Sequence, residues 1–83
     1  MDNQSLPANL STLIMSLASS ATVSMGISPH PETEKTEVNK KMAEFNIDLL
    51  LTIKEKTTNN LTQEESKLLD TVISQLQTQF IQI

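Results

Sequence analysis

The chain has 83 residues, which is enough for one small domain, and 37% of them are hydrophobic with a single glycine. It contains no cysteine, so it has neither a disulfide framework nor thiolate chemistry. Its net charge of -4, with lysine as the only basic residue type and no tryptophan or tyrosine, argues against a nucleic-acid partner and against attraction to an anionic membrane.

The first predicted element is a helix over residues 10–25. Residues 1–8 are polar and contain Pro7, so we expect a flexible lead-in before it. Asn9 can accept a hydrogen bond from the first turn, and Gly26 stands where a left-handed residue ends a helix. The apolar residues that recur at helical spacing are Leu10, Leu13, Ile14, Leu17, Ala21 and Met25.

This first segment also has to be compared with export signals and membrane spans. A secretory signal carries positive charge before its apolar stretch, whereas the first lysine here is Lys35. Serine and threonine interrupt the stretch, which is too short and too polar to span a bilayer. We therefore expect a soluble cytoplasmic protein.

Residues 28–37 form a predicted linker, and a second helix is predicted over residues 38–57. Pro29 and Pro31 disfavour helix in the linker, and Thr36 or Asn39 can cap the helix that follows. This helix is apolar on two sides, so we expect it to be central and to pack against more than one neighbour. One stripe comprises Val38, Met42, Phe45, Leu49 and Ile53, and the other comprises Ala43, Ile47 and Leu50.

A short connection leads to a third predicted helix over residues 63–81. Asn59 or Asn60 can take a left-handed conformation, and Thr62 with Glu65 has the spacing of a capping box. Short connections produce antiparallel neighbours. The sequence therefore predicts a single all-α domain of three helices, in which helices two and three form an antiparallel hairpin and helix one packs against it.

The distribution of charge suggests where a partner binds. Apart from Asp2 and the termini, charges lie between Glu32 and Asp70, so helix one and the end of helix three are uncharged. Interface cores are depleted in charge, which favours a self-association surface, although a solvated serine and glutamine face gives the same pattern. The predicted interface residues are Leu10, Leu13, Ile14, Leu17, Ala21, Leu76 and Phe80.

Three other places carry groups that could do chemistry, and each has a simpler structural explanation. His30 with Glu32 and Glu34 offers few of the ligands that a zinc site needs, so we expect a solvated loop. Asp48 lies in an apolar run and is interpreted as a structurally satisfied group. The corner around Lys56, Thr57 and Asn60 is explained by capping. With no nucleophile motif or Gly-rich loop, we expect neither an enzyme nor a cofactor.

Several stretches resemble a small bacterial family, the domain-of-unknown-function family numbered 1844. They are LSTLIMSLASSA, the Pro-Glu-Thr of the linker, NIDLLLTIKEKT and NLTQEESKLLD, and together they cover the chain from Leu6 to Phe80. The family favours glycine where this chain has Glu34 and Asn59. The resemblance implies a compact cytoplasmic bacterial protein and adds no activity.

The hypothesis for function is a non-enzymatic structural or interaction module that forms a homo-oligomer. One alternative is an adaptor that binds a helix of an unknown partner protein in an apolar groove. Another is a small-molecule binder in which Met15, Met25 and Met42 line a pocket between the helices, since methionine fills irregular gaps.

Overall fold

A computed structural model describes residues 8–83, and about two-thirds of them are helical. The helices are α1 (Leu10–Ser24), α2 (Lys40–Lys56) and α3 (Gln63–Ile81), and each packs against the other two. There is no strand among residues 8–83, so the predicted all-α class with three helices is confirmed. The predicted flexible lead-in falls almost wholly on residues 1–7, outside the described residues.

Both ends of α1 follow from its flanking residues. The N–H of Thr12 donates to the side-chain oxygen of Asn9 (2.9 Å), which caps the helix. At the other end Gly26 has a φ of 76°, and the N–H groups of Gly26 and Ile27 donate to the carbonyls of Val23 and Thr22. This pair of bonds is a Schellman motif, and it ends the helix at Ser24, one residue before the predicted end.

The two ends of the connection between α1 and α2 lie side by side. Met25 and Val38 form an isolated antiparallel bridge, and the N–H of Asn39 donates to the carbonyl of Ser24 (2.6 Å). The bridge holds Val38 extended, and Asn39 caps α2 by accepting from the N–H of Met42 (3.0 Å). For this reason α2 begins at Lys40 and not at residue 38.

The connection between α2 and α3 has the predicted caps. Thr62 accepts from the N–H of Glu65 (3.1 Å), and Glu65 accepts from the N–H of Thr62 (2.9 Å). Asn59 has a φ of 68°, so it takes the left-handed conformation proposed for it. An ion pair of 2.9 Å between Lys54 and Asp70 joins the end of α2 to the first half of α3, as expected for an antiparallel hairpin.

The core lies where the three helices meet. Helix α1 packs against both helices of the hairpin, and its contact with α2 is more extensive than that between α2 and α3. The structure measures 38 × 34 × 16 Å, which is flat for a helical domain. The buried apolar residues are Ile14, Ala21, Met25, Ala43, Ile47, Leu50, Leu69, Val72, Ile73 and Leu76.

Candidate functional site

Most of the predicted α2 stripe that begins at Val38 lies on the surface of the molecule. Val38 is 60% exposed, Met42 47% and Phe45 55%, while Leu49 is half-buried and is not among the residues that pack against the core. Residues 42, 45 and 49 follow helical spacing and therefore share one side of α2, and Val38 lines the same groove as Met42 just before the helix begins. We call these four residues the outer row. The first three of them stay about half exposed in the single chain.

Helix α2 buries the opposite stripe because only that side faces both neighbouring helices. Ala43, Ile47 and Leu50 lie in the core. Asn46 is also buried, and its side-chain amide donates to the carbonyl of Met42 (3.0 Å). The inner stripe packs into the core against both neighbouring helices, as expected. The outer row is more exposed than the inner stripe and is not part of the core. Ile53, assigned to the outer stripe from the sequence, packs against the core instead.

Most of the predicted interface residues belong to the core of the single chain. Ile14, Ala21 and Leu76 are buried, so they offer no surface to a second chain in this conformation. Leu10, Leu17 and Phe80 are half-buried and pack against that core. Leu13 is the exception, with 47% of its surface exposed. The apolar repeat of α1 therefore lies mainly against the core of the single chain.

A groove of about 880 Å³ runs beside the outer row. One wall is formed by α1, where Ser20 and Ser24 line it, and the other by Val38, Met42 and Asn46 at the start of α2. The linker closes one end of the groove with charged side chains, including Glu32 and Lys35. The α1 wall is uncharged, but the wall at the start of α2 also carries Glu37, Lys40 and Lys41, so a partner in the groove meets apolar and charged side chains together.

The methionines do not share one pocket. Met42 lines the groove beside the outer row, whereas Met15 lines a second groove of about 420 Å³ between α1 and α3. Met25 is buried in the core and lines neither groove. The three side chains predicted to line a common ligand site are thus separated.

The polar residues singled out in the sequence lie on the surface. His30 is exposed and its Nδ1 accepts from the N–H of Glu32 (3.2 Å), as part of a turn in the linker. Asp48 is exposed, and its carbonyl accepts from the Thr52 hydroxyl. Over residues 8–83 no group of three or more histidine, cysteine or acidic side chains is placed to hold a metal ion.

The corner between α2 and α3 uses its polar groups internally. The capping box occupies Thr62 and Glu65, and Lys54 is paired with Asp70. Glu64 and Glu65 place negative charge in the first turn of α3, which disfavours a bound anion at that helix end. Among the described helices, none is long and apolar enough to cross a membrane.

Comparisons with known proteins place the chain in a family. No curated protein and no solved structure matches it. A family model described as "Domain of unknown function (DUF1844)" matches residues 7–82, which is nearly the full length of the chain. Glu34 and Asn59, the two positions at which the resemblance leads us to expect glycine, both have positive φ, a conformation that glycine adopts without strain. The chain therefore belongs to the DUF1844 family.

Proposed function

We propose that this chain is a non-enzymatic protein-interaction module that works as a homo-oligomer. The observation that carries the proposal is the outer row, where Val38, Met42 and Phe45 are between 47% and 60% exposed in the single chain. Exposed apolar side chains that lie side by side are typical of a contact surface.

The shape of the molecule supports the same proposal. A compact chain of 83 residues has a radius of gyration of about 12 Å, and the value here is 13.4 Å. Eight large hydrophobic side chains are exposed in the described part, and three of them belong to the outer row. A flat three-helix layer with an uncovered apolar line gains stability when a second surface covers it.

We place the module in the bacterial cytoplasm, in keeping with the family resemblance and with a cysteine-free sequence that needs no oxidising compartment. A chain that acts by displaying surfaces needs no catalytic group. The proposal therefore requires neither a cofactor nor a metal.

Molar mass in solution tests the proposal. We expect light scattering to give a multiple of 9.2 kDa at high micromolar concentration, with dissociation on dilution. A mass of one chain throughout the concentration range would contradict self-association. In that case the adaptor becomes the better explanation, because the outer row would then await a different protein.

A further inference from the structure

We draw no further inference here: the strongest candidate, the groove between α1 and the start of α2 with the buried amide of Asn46 in its lining, carries nothing because that amide already donates to the carbonyl of Met42 and nothing in the structure shows what covers the groove or the outer row beside it.

Discussion

The two apolar faces of α2 have similar composition and different surroundings. Ala43, Ile47 and Leu50 on the inner face are enclosed by α1 and α3, whereas Met42 and Phe45 on the outer face meet solvent. Three helices in a flat arrangement can cover only one side of the central helix. Apolar periodicity in a sequence therefore identifies helix faces that avoid water. It does not show which of those faces is buried within the same chain.

The largest expected effect is the loss of stability when a residue on the inner face of α2 is substituted, compared with one on the outer face. Leu50→Ala should lower the free energy of unfolding by about 2–5 kcal/mol, since it leaves a cavity in the core. Phe45→Ala should change the free energy of unfolding of the dissociated chain by less than about 0.5 kcal/mol, as at other surface positions. Urea unfolding below the dissociation concentration measures both. Similar losses for the two variants would show that Phe45 is buried within the single chain.

Gly26 tests the connection that holds Val38 at the start of the outer row. Gly26→Ala should destabilise the fold by about 1–2 kcal/mol, because a side chain is disfavoured at a φ of 76° and its Cβ would lie 2.9 Å from Cγ2 of Val38. Thermal and urea unfolding measure the change. Thr36→Ala, an exposed position in the same connection, is the control and should be neutral. Equal stability of Gly26→Ala and wild type would contradict the close approach of Gly26 and Val38.

The capping box of Thr62 and Glu65 tests whether the corner between α2 and α3 stabilises only the single chain or also contributes to assembly. Thr62→Ala should cost about 1 kcal/mol of stability, because the Glu65 N–H loses its acceptor. Thr71→Ala, an exposed threonine within α3, should be neutral or slightly stabilising since alanine favours helix. The mass of the assembled protein should be unchanged in both variants. A change in oligomer size for Thr62→Ala would implicate the corner in assembly.

The smallest expected effect is an increase in the free energy of unfolding. Glu34 adopts a φ of 58°, so Glu34→Gly should raise the free energy of unfolding by about 0.5–1 kcal/mol after the added entropy of the unfolded chain is subtracted. Asn59→Gly should gain less, because asparagine tolerates the left-handed region. Glu37→Gly, at a position without positive φ, should be destabilising. A loss of stability for Glu34→Gly would show that the side chain of Glu34 contributes a favourable contact.

Features set by neighbouring residues were predictable from the sequence. The caps at Asn9 and Thr62 and the left-handed Gly26 and Asn59 all depend on chemistry within a few residues. The start of α2 was less predictable. Either Thr36 or Asn39 could cap it, and the choice of Asn39 depends on the bridge between Met25 and Val38, which joins residues far apart in sequence.

The outer row could be recognised in the sequence as an apolar stripe, but the sequence did not show that this stripe is exposed. Apolar residues recur at helical spacing between Leu10 and Ala21, and again between Val38 and Leu49. Both patterns indicate a helix face that avoids water. Only the packing of α1 against α2 assigns the first pattern to the core and leaves the second outside. Phe45 gave one usable signal, because a large aromatic side chain on a helix that already has a complete inner stripe is typical of a contact surface.

The central claim is that copies of this chain associate, and an isotope-filtered nuclear Overhauser experiment tests it most directly. The sample mixes ¹³C-labelled and unlabelled chains, and the aromatic signals are easily assigned because Phe45 and Phe80 are the only aromatic residues of the Phe, Tyr and Trp types. The account predicts intermolecular cross-peaks from the ring of Phe45, which is 55% exposed in the single chain. Intermolecular cross-peaks from Phe80 with none from Phe45, or no intermolecular cross-peak at all, would contradict it.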